Sequence, residues 1–404
     1  MTNIAKVARP AGRTSWRAEP INFLGCLVCT LAVIIPVEGL RAADWSTTGS
    51  GSVTGKFDDN IRLSSTDPAS DYGIIIRPQL DIHGSNPNWD VNFALALDVA
   101  RYAQDSSLDS EDPSLRLDSS YRTQLSEFGL EAEVSRTTSL ITEETDAGNF
   151  TSNTDRDLLS LAPSWSYIAS PRDTLNVGAS VTDVNFRADT FTDHRTLEAH
   201  AGWAREVTTA DVVSLNFVVE HIESESTIEI ESELYDVLVG WDRTFSERLR
   251  TSLAAGPQYY TTEEPRTVNG SVQTTDEDTF GFRLSAGVEY RPSEVTELDV
   301  GFTHEVSASS SGSPLERDTL EATASHRFLP RLSGSLSTLF QLGRDPNNSD
   351  SDRDFFSLQP SLTYELAMEW DVSASYRFRT QDSEGSDRAY SNAIFATVTY
   401  RPLR

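Results

Sequence analysis

Residues Trp89 to Tyr102 read WDVNFALALDVARY. Trp89, Val91, Phe93, Leu95, Leu97 and Val99 alternate with Asp90, Asn92, Ala94, Ala96, Asp98 and Ala100, and successive side chains of a strand point to opposite sides. One face of this segment is apolar and the other can meet water. The preceding run sets Ile74, Ile76, Pro78, Leu80 and Ile82 in phase against Arg77, Gln79 and Asp81, and the polar segment Gly84-Ser85-Asn86-Pro87-Asn88 joins the two. This is a hairpin with a tight end.

The same beat runs from about Ser46 to Tyr400 and divides the chain into about 18 strands. Connections alternate in length. Short turns fall at Ser126-Glu127, Ala169 to Asp173, Ser246 to Arg248, Pro292 to Val295, Leu329 to Arg331 and Ala367 to Glu369. Long polar loops fall at Ala103 to Ser114, Ile141 to Asp157, Thr261 to Asp278, Ala308 to Asp318 and Asp345 to Asp354. That alternation is expected of an all-β, transmembrane, antiparallel up-and-down barrel with short periplasmic turns and long extracellular loops. Trp89, Phe128, Trp165, Tyr167, Trp203, Trp241, Phe245, Tyr290, Phe328, Tyr364, Trp370 and Tyr400 gather beside the short turns, where an interfacial aromatic girdle belongs. A soluble β-sandwich would need neither the girdle nor two loop lengths.

The 404 residues carry a net charge of −29 and only 38% hydrophobic side chains. Low hydropathy is no objection to a barrel, because only every second residue of each strand must be apolar. Lys6, Arg9, Arg13 and Arg17 precede an apolar stretch from Ile21 to about Val37, followed by Leu40-Arg41-Ala42-Ala43. This reads as a secretory signal over 1–42 with the mature domain at 43–404; as a membrane anchor the stretch is short and interrupted by Pro36. Both cysteines, Cys26 and Cys29, lie inside the signal, so the mature chain is expected to hold no disulfide and no thiolate metal site. Removing the signal takes away five basic and two acidic residues and leaves a net charge of about −32, which makes nucleic acid a poor partner.

Parity assigns the carboxylates Asp90, Asp98, Asp118, Glu131, Glu133, Glu198, Glu220, Asp236, Asp299 and Glu305 to the water-facing wall, with Asp81, Asp242, Glu289, Glu297, Glu321, Glu365 and Asp371. The bases on that wall are Arg116, Arg122, Arg283, Arg377 and Arg379, with Arg77, Arg250 and Arg327. Acids outnumber bases about two to one, and an acidic wall favours cations. Many of these charges are expected to pair between neighbouring strands.

Gly55-Lys56-Phe57-Asp58-Asp59-Asn60-Ile61-Arg62-Leu63 resembles the first-strand signature of the β-barrel porin 2 family of Gram-negative outer-membrane proteins, aromatic-Asp-Asp-Asn-apolar-x-apolar. The resemblance implies an outer-membrane barrel and, as in some members, an association with exopolysaccharide export components. It supplies no catalytic residues. Phe57, Asp58, Asp59 and Asn60 carry the signature; read from the residues alone, Asp58-Asp59-Asn60 is a polar strand end turning into the first loop, solvated or in contact with a cation. The last strand, Asn392 to Tyr400, is similar to the C-terminal insertion signal of outer-membrane proteins, although Arg401-Pro402-Leu403-Arg404 follow the aromatic. Outer-membrane lipid, lipopolysaccharide and the barrel-assembly machinery are the partners this implies.

No catalytic, cofactor or metal site is expected. His200 faces the wall, His221 and His304 the upper lipid edge and His326 the lower edge, with no nucleophile-elbow motif near any of them. The segment Asp345 to Asp354 invites a calcium reading. An EF-hand loop beginning at Asn348 would put Arg353 where Gly is required and Gln359 where Glu is required, so that motif fails. Two functions remain in view: a passive, mildly cation-preferring pore linked to exopolysaccharide export, and a non-conducting barrel that scaffolds export machinery or surface contacts. An outer-membrane hydrolase is the third and weakest reading.

Overall fold

The computed structural model describes residues 44–142, 153–225, 230–268, 271–307, 315–344, 352–383 and 387–402. The expected leader, 1–42, and most of the acidic segment 345–354 lie outside them. The described residues form eighteen strands: β1 Asp44–Asp58, β2 Asp71–Asn86, β3 Trp89–Tyr102, β4 Ser110–Arg122, β5 Ser126–Thr138, β6 Asp155–Ser170, β7 Asp173–Phe186, β8 Asp193–Glu206 and β9 Asp211–Glu225, then β10 Ile230–Ser246, β11 Leu249–Val268, β12 Ser271–Ser293, β13 Thr296–Ser307, β14 Leu315–Leu329, β15 Leu332–Arg344, β16 Arg353–Ala367, β17 Trp370–Ser383 and β18 Ala389–Tyr400. Each pairs antiparallel with its chain neighbour, and β1 pairs with both β2 and β18, which closes the sheet.

The register shows why the alternation folds this way. Leu80, Leu95, Leu115, Val134 and Leu159 lie in one cross-strand row. One residue along, Asp81, Ala94, Arg116, Glu133, Ser160, Thr182 and Thr196 form the next. A one-residue slip would exchange the two faces. On the apolar face large side chains stand open, among them Ile74 at 55% and Ile394 at 59% exposure. A closed barrel leaves no backbone donor or acceptor at an edge, so this face can stand in lipid.

The girdle beside the short turns packs in pairs: Phe128 on Trp165, Trp241 on Phe245 and Trp370 on Tyr400. Two further aromatic groups, unread in the sequence, lie at the long-loop end: Tyr235, Tyr259 and Phe280 on β10 to β12, and Phe356, Phe378 and Tyr390 on β16 to β18. From Phe356 to Tyr364 along β16 is about 27 Å of strand, or about 21 Å of height at a tilt of ~40°, close to an apolar band of ~25 Å.

The long connections differ from their sequence reading. Thr261 to Asp278 is no loop: β11 runs to Val268 and β12 starts at Ser271, because this threonine-rich stretch retains strand propensity despite its acids. β4 starts at Ser110, β6 at Asp155, β14 at Leu315 and β16 at Arg353, so four further loops are shorter than their polar composition suggests. A helical turn, α1, occupies Ser139–Thr142. No helix among the described residues is long and apolar enough to cross a membrane.

Candidate functional site: the lumen and its constriction

A ring of eighteen strands spaced ~4.8 Å apart at ~40° tilt has a backbone radius of about 18 Å. Wall side chains cannot fill such an interior. Asp90, Asp98, Asp118, Glu131, Glu133, Glu198, Glu220, Asp236, Asp299, Glu305, Arg116, Arg122, Arg283, Arg377 and Arg379 all fall on the face opposite the apolar rows. Several come together. Arg116 lies 3.3 Å from Asp118 and 3.7 Å from Glu131, Arg122 lies 3.0 Å from Glu127, and Arg77 holds Asp98. Arg283 bridges Asp236 at 3.0 Å and Glu305 at 2.7 Å. Elsewhere like charges face each other: Glu220 stands opposite Glu198, which has His200 at 3.4 Å, and Asp299 stands opposite Glu289, which has Arg250 on its other side.

The signature after β1 is not a solvated strand end. Asp58 is fully buried. It accepts hydrogen bonds from Arg379 at 3.0 Å and Ser391 at 2.7 Å and lies 3.3 Å from the Lys56 ammonium. Asp59 accepts from the backbone and side-chain nitrogens of Asn392 at 2.6 and 2.8 Å. Asn60 donates to the carbonyls of Ser64 and Tyr390 and accepts from the Ser64 amide. The motif therefore clasps β1 to β17 and β18. The reason is geometric: the β1–β18 ladder runs only from Gly51 to Asp58, whereas β1–β2 runs from Asp44 to Asp58, and side chains reinforce the shorter seam. Phe57 stays outside, 42% exposed.

Beyond the clasp the chain dips inward. Ile61 and Leu63 are buried; Leu63 clusters with Phe355 of β16 and Ala389 of β18, and Leu339 of β15 and Leu140 of α1 pack against that cluster. Leu140 follows β5, many strands around the ring from β16, so its connection reaches across the lumen. Three connections interlock there. Arg62 binds Asp105 and Ser107 at 2.9 Å, Asn153 donates to the Ser107 carbonyl at 2.9 Å, and the Asp71 carboxylate accepts from the amides of Ala103, Gln104 and Asp105. Hydrogen bonds from Ser107 and Arg62 hold the Asp105 carboxyl down to about 2.

Beneath this closure a chamber of about 210 Å³ remains, walled by Lys56, Arg77, Arg377 and Arg379, by Asp98 and Asp112, and by Ile61, Ile75, Tyr102, Leu108 and Ile141. Lys56 and Arg377 both approach the Phe395 ring, at 5.8 and 5.4 Å from its centroid. Sequence reasoning missed Lys56, Asp112 and Phe395. Two signals were available: Lys56 is the only lysine after Lys6, and Phe395 is a lone aromatic on the polar parity between Ala393 and Thr397. Among the described residues no group of three or more His, Cys, Asp or Glu side chains is arranged to hold a metal ion. His200 lies on the polar face, and His221, His304 and His326 on the apolar one; His304 stacks on Phe282 at 4.2 Å and lies 2.7 Å from Asp318.

A family model described as an outer membrane protein beta-barrel domain matches residues 162–328. No curated protein sequence matches the chain. Among solved structures, the outer membrane channel DcaP of Acinetobacter baumannii is similar at 14% identity and a TM-score of 0.48, covering 90% of this chain and 98% of that one. Pseudomonas aeruginosa OpdQ is similar at 10% identity and 0.45, covering 89% and 100%. The ferric-catecholate import receptor Fiu of E. coli K12, in its open form, is similar at 9% identity and 0.49, covering 88% and 82%. A closed sheet that is apolar outside and polar inside satisfies its whole backbone in lipid, and with the domain match over β6 to β14 this makes the chain a β-barrel of the outer membrane.

Proposed function

We propose that the barrel is a passive pore for small hydrophilic solutes. The observation that carries this reading is the row from Asp81 through Arg116 and Glu133 to Thr196, polar at every position but Ala94, lining an interior too wide for side chains to fill. The excess of wall carboxylates supports a mild preference for cations. The chamber, at about 210 Å³, suits small solutes. Export of a polysaccharide rests on the signature's resemblance, and it would require the packing of Leu63, Leu140 and Phe355 to open; the acidic wall would then suit a neutral or cationic polymer. Lipopolysaccharide around the long-loop end, the barrel-assembly machinery and export components are the partners proposed.

A second reading, a non-conducting scaffold, is favoured by the interlock of Arg62, Asp105, Ser107 and Asn153. Planar-bilayer recording separates the two. Discrete conductance steps are expected from folded protein, and a folded barrel that passes no current sinks the pore. Neither reading requires catalysis, and we read the chain as non-enzymatic.

A further inference from the structure

Two features of the chamber are left unused by simple diffusion. Asp112, on β4, is 8% exposed. Its Oδ2 accepts from Ser110 Oγ at 2.8 Å, and no donor among the described residues reaches its buried Oδ1. A buried acceptor left in this state keeps its desolvation uncompensated, so the geometry suits an incoming N–H or O–H. At the other end of the chamber Lys56 on β1 and Arg377 on β17 converge on Phe395, and Lys56 and Arg379 of β17 share Asp58. The lining thus brings four cations, Lys56, Arg77, Arg377 and Arg379, against two carboxylates, Asp98 and Asp112.

The two ends are separated by strand order. From β1 to β4 is three spacings, ~14 Å of wall and less across its concave side. On the strands between them sits the Arg77–Asp98 ion pair, and the same lining includes the apolar side chains of Ile61, Ile75, Leu108 and Ile141. We propose that the chamber is a binding site for a small linear zwitterion. Its carboxylate meets the Lys56–Arg377 end, its ammonium meets Asp112, and its methylenes cross the isoleucine and leucine floor. The site rests on the pore reading only in that the solute enters through the lumen. Charge-assisted hydrogen bonds at both ends give the preference for a molecule that carries both groups.

The test is calorimetric titration of detergent-folded barrel, its folding verified by heat-modifiable gel mobility, with 6-aminohexanoate, hexanoate and hexylamine. One saturable site for 6-aminohexanoate is expected, with hexanoate and hexylamine each weaker by roughly tenfold or more. Asp112→Asn should bring 6-aminohexanoate down to the level of hexanoate. Arg377→Gln should weaken both carboxylates and leave hexylamine unchanged. No saturable heat from folded wild type, equal affinity for all three probes, or an Asp112→Asn barrel that keeps its preference for 6-aminohexanoate would each overturn the site. The measurement needs no current, so a barrel that conducts but takes up no probe rejects the chamber and keeps the pore; a barrel that binds without conducting rejects the pore and keeps the chamber.

Discussion

Asp58 shares one buried carboxylate among Arg379, Ser391 and Lys56, and removing one partner of a buried pair leaves the other charge poorly compensated. Asp58→Asn is expected to cost about 3 kcal/mol, read as a lower urea midpoint of the micelle-folded barrel. Asp59→Asn, which alters a half-buried acceptor of Asn392, should cost far less, and equal midpoints would remove Asp58 as the anchor of the seam. Leu63 holds φ at 47°, a left-handed conformation costing roughly 1–2 kcal/mol for a branched residue, and burial of its side chain at 4% exposure offsets this strain. Asp105 carries a pH dependence. Its folded pKa lies near 2, below its ordinary 3.8, so its contribution to the loop interlock is complete above about 4 and fades as pH falls toward 2. Protection of the Ser107 amide, which donates to Asp105 at 3.0 Å, should drop over that window in hydrogen exchange corrected for intrinsic rate. Unchanged protection at pH 2 would argue that the backbone alone holds the turn.

Along single strands the two faces make opposite demands. Leu95 stands in the apolar row between Leu80 and Leu115, whereas Ala94 stands between Asp81 and Arg116. Leu95→Arg should cost roughly 2–4 kcal/mol in lipid and Ala94→Arg little; equal loss of heat-modifiable mobility in both would reverse the face assignment. β10 and β11 show a different constraint. A Cβ at Gly256 would sit 1.7 Å from the Val237 carbonyl oxygen, while one at Gly281 would meet nothing within 4 Å. Gly256→Ala must therefore push the two strands apart, at roughly 1–3 kcal/mol, and Gly281→Ala should leave the unfolding midpoint where it is. A Gly256→Ala barrel of wild-type stability would show that the close approach is not required.

Across the whole molecule the wall charges are unevenly neutralised. Arg283 and Arg77 engage Asp236, Glu305 and Asp98, whereas Asp299 faces Glu289 and Glu198 faces Glu220. The proposed cation preference should then depend most on these like-charged pairs. Asp299→Asn with Glu289→Gln is expected to lower the K⁺-selective reversal potential across a salt gradient. The effect should be greater in dilute salt, where screening reaches roughly 30 Å at 0.01 M against about 3 Å at 1 M. An anion-selective wild type would mean that Lys56, Arg77, Arg377 and Arg379 at the chamber, not the wider wall, set the sign.

The barrel, its strand number and its two faces were legible in the sequence because a period of two is a local property: WDVNFALALDVARY assigns Leu95 outward and Asp98 inward with no knowledge of its neighbours. The cross-strand partners of each charge came only with register, and register depends on the neighbouring strand. Loops carry no period, so composition alone misread Thr261 to Asp278 as irregular and Asp58-Asp59-Asn60 as solvated. The seam brings Asp58 to Ser391, 333 residues away in sequence, and the chamber joins β1, β4 and β17 with the turns after β1, β3 and β5. Closure of the ring decides those contacts, because no local pattern in any one strand encodes which distant strand will stand beside it.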